Sequence, residues 1–228
     1  MATDPAWHPE PIELAPEVVL LPGFDGDGTD PFLVPVNALL LGNSARLLLV
    51  PGVRRAPWTP ALTRLADHVR WIVSARPAPT RDVRLALAHC RRAVTLDRPP
   101  SAAGHVTLLD PATLPVRSRA IHDKGRRVLY SADGFGAPVL LPATDADDLD
   151  DAYWQQAAAT HTRWSGTDAT RAATLAALGV ELIVPAFGPV LHGRRRAAAL
   201  DATAPLSPPC ATDAAYRARM EELLAIEC

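Results

Sequence analysis

Apolar residues fall into short runs in the first fifty positions and into helical spacing after them. Glu17-Val18-Val19-Leu20-Leu21 reads as a buried strand closed by Pro22-Gly23. Pro35 to Leu41 and Ala45 to Val50 read as two more strands, joined by the short hairpin loop Gly42-Asn43-Ser44. The spacing of Leu62, Leu65, Ala66 and Val69 predicts an amphipathic helix over Thr59 to His68, with Thr59 as N-cap and Pro60 at its first position. Trp71 to Ser74 is a brief strand that opens into a proline-stiffened loop, and Asp82 is placed to cap a helix over Val83 to Cys90.

From Ala93 the pattern turns to β, with strands over Ala93 to Leu96, Val106 to Leu109, Val116 to Ile121 and Arg127 to Ser131. His122 and Asp123 precede a glycine turn and read as a hairpin tip. The acidic segment Asp145 to Asp151 reads as solvated surface and a helix start, followed by helices over Ala152 to Trp164 and Ala169 to Leu178, the second stopped by Gly179. A last strand, Val180 to Pro185, leads into the turn Ala186-Phe187-Gly188-Pro189, and a C-terminal helix spans Asp213 to Ile226. This order suits a layered sandwich better than an alternating Rossmann sheet.

One stretch stands out as a site. Val128-Leu129-Tyr130-Ser131-Ala132-Asp133-Gly134-Phe135-Gly136 is a strand that ends in a lone acid, with two glycines to let the backbone turn tightly. Composition narrows what the site can serve. The chain has 228 residues, 48% hydrophobic and 21% charged, with a net charge of -2, which argues for neither a nucleic-acid partner nor an anionic membrane. Arg194-Arg195-Arg196 reads as a solvated helix face. No run approaches a membrane span, and Met1 to Pro16 lacks the basic start and apolar run of a signal peptide, so a cytoplasmic location is expected. Cys90, Cys210 and Cys228 are too few and too widely spaced for a disulfide framework or a zinc knuckle. The loop from Asp25 lacks the glycine and glutamate that an EF-hand needs at its sixth and twelfth positions. There is no G-x-S-x-G elbow, P-loop or G-x-G-x-x-G after a strand.

The order of strands and loops resembles the metallo-β-lactamase fold, an α+β, four-layer αββα sandwich. Within it the chain is most similar to the β-lactamase-like domain of flavodiiron and related oxygen-binding diiron proteins. The likeness rests on the hairpin Val36 to Leu41 with Leu47 to Val50, on Trp71 to Ser74, on Val128 to Gly136 and on Leu182 to Pro189. It implies a single domain over 1–228, with a core at about 18–193 and a C-terminal helical extension over 194–228.

Active members of that family hold two metals with an H-x-[HE]-x-D-H loop, a further histidine, a bridging aspartate and a histidine in a final H-G-P turn. Imidazole and carboxylate are what zinc or iron require. Matching the loop by its prolines puts Arg76, Ala78, Thr80 and Arg81 at the ligand positions; matching its aspartate puts Ala78, Thr80, Asp82 and Val83 there. Neither register supplies a histidine. The family's spacing back from Asp133 lands on Leu114, and Phe187 stands before Gly188-Pro189. Asp133 is the clear survivor, and an arginine is the partner expected for it. Of the seven histidines, His68 and His89 read as ordinary helix residues, while His161 and His192 are the two candidates for the pocket.

The resemblance therefore implies a degenerate, metal-free protein without cofactor, acting as a binding, regulatory or subunit-partner module. Its pocket would be filled by Leu114, Phe187 and arginine side chains, and the chain would pair as a homodimer or with a paralogue. Two alternatives stay open. One is a metal-independent enzyme using Asp133 as acid or base, with Arg76 or Arg81 holding a small anionic substrate. The other is a metal-dependent hydrolase or diiron protein with displaced ligands.

Overall fold

The computed structural model describes residues 10–26, 32–43, 46–76, 80–101, 105–109, 118–166, 169–201, 208–210 and 212–224. In chain order the elements are β1 (Ile12–Ala15), β2 (Val18–Leu21), β3 (Phe24–Asp25), β4 (Val34–Pro35), β5 (Ala38–Leu41), β6 (Arg46–Val50), α1 (Thr59–Leu62), β7 (Val69–Ser74) and α2 (Arg81–His89). Then follow β8 (Val94–Leu96), β9 (Val106–Leu108), β10 (Ile121–Asp123), β11 (Val128–Ala132), α3 (Asp151–Ser165), α4 (Ala169–Ala176), β12 (Leu182–Pro185), α5 (Gly193–Leu200) and α6 (Thr212–Leu224). Strands β1-β2-β5-β6-β7-β8 form one sheet and β12-β11-β10-β9 a second, with β3 and β4 as a separate ribbon.

Side-chain alternation in β11 and β12 assigns the second sheet's two faces. Val128, Tyr130 and Val184 join the core shared with the six-stranded sheet, where Leu20, Leu39, Leu47 and Leu49 are buried. Leu129 and Ile183, one step out of phase, pack with Trp154, Ala157 and Leu175 of α3 and α4. Val83 and Ala86 of α2 and Leu62 of α1 belong to the first core. Helices thus cover the outer faces of two facing sheets, the expected αββα arrangement.

Several local expectations change. The helix predicted over Thr59 to His68 stops at Leu62, and a 3-10 turn spans Ala66–His68, because Val69 belongs to β7, where it pairs with Arg46. Trp58 rather than Thr59 is the N-cap. His122 and Asp123 do lead into the hairpin turn of residues 124–127 between β10 and β11, but as the last, buried residues of β10, which also pairs with β9. The predicted strand 116–121 survives only as its last residue, Ile121, while 116 and 117 lie outside the described residues. Nor is Arg195 a solvated residue of α5. It is 5% exposed, donates to the carbonyls of Ala146 and Leu149, and sits over the Trp154 ring. Strand β1 lies in the proline-rich lead that carried no strand signal. Among the described residues no helix is long and apolar enough to cross a membrane.

Candidate functional site

β7 and β11 lie in different sheets, and the residues just past their C-terminal ends meet. Arg76 follows β7, and its Nη2 donates to both oxygens of Asp133, at 2.9 and 3.0 Å. Arg76 and Asp133 are 5% and 4% exposed, so this is a buried, charge-assisted pair. Burial pushes the Asp133 carboxyl above the ordinary carboxylate range, and the Arg76 guanidinium and Ser118 pull it back. The Asp133 N–H reaches the Ser118 hydroxyl at 3.3 Å.

The turn that aims Asp133 is strained in an unexpected place. Its left-handed residues are Ala132 (φ 51°) and Phe135 (φ 62°), one on each side of the acid, rather than Gly134 and Gly136. Such conformations in non-glycine residues persist where the surroundings hold them, typically at functional sites. Gly136 is needed for a different reason: a Cβ there would lie 2.0 Å from the Phe187 carbonyl oxygen and 2.4 Å from the His161 ring. Gly188 meets the same strand end, its would-be Cβ 2.5 Å from the Ala137 nitrogen.

His161, on α3, is fully buried and backs the acid. One ring nitrogen, Nε2, lies 2.8 Å from the Asp133 carbonyl oxygen, which can only accept, so Nε2 carries the proton. The other, Nδ1, then accepts from the Tyr216 hydroxyl of α6 at 2.6 Å. Burial holds the imidazole neutral, with its pKa lowered to about 4. Trp164, Phe187 and Phe32 complete an aromatic wall around Tyr216 and His161. The tail predicted as an extension is therefore built into the core, where Tyr216, Met220 and Leu223 are buried.

Asp82 is in the first turn of α2 instead of at its cap, a place taken by Thr80. Its Oδ2 accepts from the Gly52 N–H at 2.8 Å, and its Oδ1 accepts from the Val83 N–H and the Thr80 hydroxyl. Burial raises its pKa, against those hydrogen bonds. Tyr130, close enough to feel Asp82, Asp133 and Arg76, donates to the Asn37 carbonyl at 3.0 Å. Asn37 in turn donates to the carbonyls of Pro185 and Gly188, which ties the two sheets at the site.

Arg76, Asp133, His161 and Phe187 are thus brought to one place, with Thr80 and Asp82 in their own network at the start of α2. Arg81 is exposed on α2. His192 lies elsewhere: it pairs with Asp145 at 2.7 Å, which raises its pKa, and faces Asp147 at 3.7 Å. These three form a group within reach of one ion, but Arg194 and Arg195 each lie 3.6 Å from Asp147, so guanidinium charge already serves that carboxylate. Leu114 lies outside the described residues. Sequence reasoning missed Ser118, Arg119, Tyr130 and Tyr216; only Tyr216 carried a signal, the helical spacing it shares with Met220 and Leu223.

The metals implied by such a fold do not fit this donor set. Among the described residues, both Asp133 oxygens face arginine, both Asp82 oxygens accept hydrogen bonds, and both nitrogens of the one neighbouring imidazole are engaged. A fixed cation already stands where a metal would need open carboxylate oxygens.

No family model matches this sequence, and no curated protein matches it. Solved structures do match. The chain is similar to the flavodiiron protein from Giardia intestinalis, at 14% identity and a TM-score of 0.61, over 84% of this chain and 58% of that one. Rubredoxin oxygen:oxidoreductase from Desulfovibrio gigas aligns at 13% identity and 0.67, over 84% and 60%. The chemotaxis sensor ODP, solved as a peroxy diiron species, aligns at 13% and 0.60, over 92% and 100%. The chain spans about three fifths of the first two proteins. At these identities the likeness establishes the fold alone: the chain folds as the metallo-β-lactamase-like part of flavodiiron proteins does.

Proposed function

We propose that this protein is a metallo-β-lactamase-fold protein without a dinuclear centre, and that it works as a binding or subunit-partner module. The observation that carries the reading is the Arg76–Asp133 pair, which puts a permanent positive charge against the one carboxylate retained from the family's bridging position. Metal chemistry at that position would have to displace a buried guanidinium. The flavodiiron protein and the diiron sensor that it resembles are iron proteins; this chain, on our reading, keeps their scaffold alone. A dimer with a second copy or a paralogue, in the cytoplasm, is the setting that the resemblance suggests.

Elemental analysis of protein expressed with added iron and zinc tests the reading. Well below one tightly held metal per chain is expected, and about two per chain would overturn it. A competing reading makes Asp133 an acid or base for a metal-independent reaction, which requires a free carboxylate oxygen. Arg76 covers both oxygens, which favours the binding module.

A further inference from the structure

Arg76 is not alone at the end of β7. Arg119 donates its backbone N–H to the Ala75 carbonyl at 2.7 Å, and its Nη2 reaches the carbonyls of Ser74 and Arg76 at 3.3 Å. Its Nη1 donates to the Asp97 carbonyl at 2.7 Å. All four acceptors are carbonyl oxygens, so among the described residues the Arg119 guanidinium closes on the backbone that carries Arg76 without meeting a carboxylate.

Nη1 of Arg76 and Nε of Arg119 are buried, and among the described residues neither has an acceptor. Buried polar groups are normally satisfied, and an orphaned charged donor is costly enough to call for a missing partner. Ser118, adjacent to Arg119, accepts the Asp133 N–H, and its own hydroxyl acts on the Asp133 carboxylate, whose pKa it lowers. Arg119 is partly exposed, which leaves a route from solvent. Two buried cationic N–H donors still open among the described residues suit a planar or tetrahedral oxyanion.

We propose that Arg76 and Arg119 bind a small oxyanion, a carboxylate or phosphate group, beside Asp133. The inference rests on the metal-free reading of the same site and names its ligand class. One oxygen would accept from Arg76 Nη1 and another from Arg119 Nε, which gives both buried donors a partner.

The test is isothermal titration of the unmutated full chain with inorganic phosphate and, separately, with acetate, at ionic strength held constant with sodium chloride. Saturable binding of one ion per chain is expected for at least one probe, and which one binds separates phosphate from carboxylate. Arg119→Gln is expected to weaken that binding at least tenfold. The pair Arg76→Gln with Asp133→Asn, which removes both buried charges together, should do the same and covers the case in which the single variant fails to fold. A heat signal that follows ionic strength alone, or undiminished affinity in a folded variant, overturns the proposal. Metal analysis of the same preparation keeps the two readings apart: metal-free protein that binds no anion refutes only this inference, whereas two bound metals refute its foundation.

Discussion

One nitrogen of Arg76, Nη2, reaches both carboxylate oxygens of Asp133, at 2.9 and 3.0 Å, and among the described residues the other terminal nitrogen has no acceptor. The contact joins the end of β7 in one sheet to the end of β11 in the other, so it is a bond between layers as well as a charge pair. Truncating the cation alone strands a buried carboxylate. Arg76→Ala is therefore expected to cost about 3–5 kcal/mol of folding stability, whereas Arg76→Met combined with Asp133→Asn recovers most of that loss. Urea denaturation of the single and double variants measures the coupling, and a cost of about 1 kcal/mol or less for Arg76→Ala would show that Asp133 does not depend on this partner.

Gly136 is the position where a methyl group should do most harm. Its Cβ would overlap the Phe187 carbonyl at 2.0 Å, and that acceptor is backbone, held by the Ala137 N–H at 3.0 Å, so it cannot swing away. Gly136→Ala is expected to lose about 4 kcal/mol or more, or to yield no soluble protein. Gly166→Ala is the control. Nothing lies within 4 Å of its would-be Cβ, and only its φ of +69° resists substitution, for about 1 kcal/mol. Comparable thermal shifts in the two variants would contradict the close approach.

The fold was legible because apolar runs of alternating phase give strands their faces whatever the loops do. The hairpin of β5 and β6, the strand before Arg76 and the strand before Asp133 all follow from such runs. The site was legible at its ends and opaque between them. Asp133 is marked by its place after a strand, but its hydrogen-bond shell draws on residues 57 and 28 positions away, a separation that no local pattern encodes. Residue type also misled. The glycines around Asp133 suggested where the backbone turns over, yet Ala132 and Phe135 take the left-handed conformation, because Phe135 is committed to the α3 side of the core and Gly136 to a close approach. The triple arginine looked solvated, and nothing in the sequence shows that Arg195 finds carbonyl acceptors and an aromatic face.

That conflict at Ala132 has a measurable side. Alanine in the left-handed region carries roughly 1 kcal/mol of backbone strain that glycine would not. Against this, Ala132→Gly removes one buried methyl and loosens the unfolded chain. Ala132→Gly should fall between neutral and about 1 kcal/mol destabilising, less than the same change costs at a buried strand position without strain. A loss of about 2 kcal/mol or more by chemical denaturation would mean that the turn is not strained there.

Helix α6 is held at both ends by ion pairs. Asp213 meets Arg163 at 2.7 Å and Thr160 at 2.7 Å, while Arg219 and Arg55 close on Asp25 at 2.8 and 3.1 Å with Glu222 bridging the two arginines. The Arg163 hydrogen bond lowers the Asp213 pKa to about 2. A carboxylate with a depressed native pKa stabilises above its unfolded value of 3.8 and loses that contribution as pH falls toward 2. Asp213→Asn is accordingly expected to lower the melting temperature at pH 7 and to change it little at pH 2. An equal shift at both values would refute the ionic account.

His161 sets the acid limit in a higher window. Its imidazole is buried and neutral, donating through Nε2 to the Asp133 carbonyl and accepting from Tyr216 through Nδ1. Burial lowers its pKa from 6.5 to about 4, so between those values the unfolded chain binds a proton that the native protein refuses. Stability from this residue is then fully present above pH 6.5 and is lost as pH falls toward 4, by about 3 kcal/mol over the whole window. His192 runs the other way: Asp145 raises its pKa, so its smaller, solvent-screened contribution is present below 6.5 and fades as pH rises. Subtracting the curve of a His161→Gln variant from that of the unmutated protein isolates the His161 term from His192 and from the carboxylates titrating below. The difference should shrink steadily between pH 6.5 and pH 4. Tyr216→Phe keeps the ring and removes the donor to Nδ1, so it should cost about 1–2 kcal/mol at neutral pH and, by leaving Nδ1 free to take a proton, weaken the acid dependence. A flat difference curve across the window would mean that His161 is not the buried neutral support of the Asp133 turn.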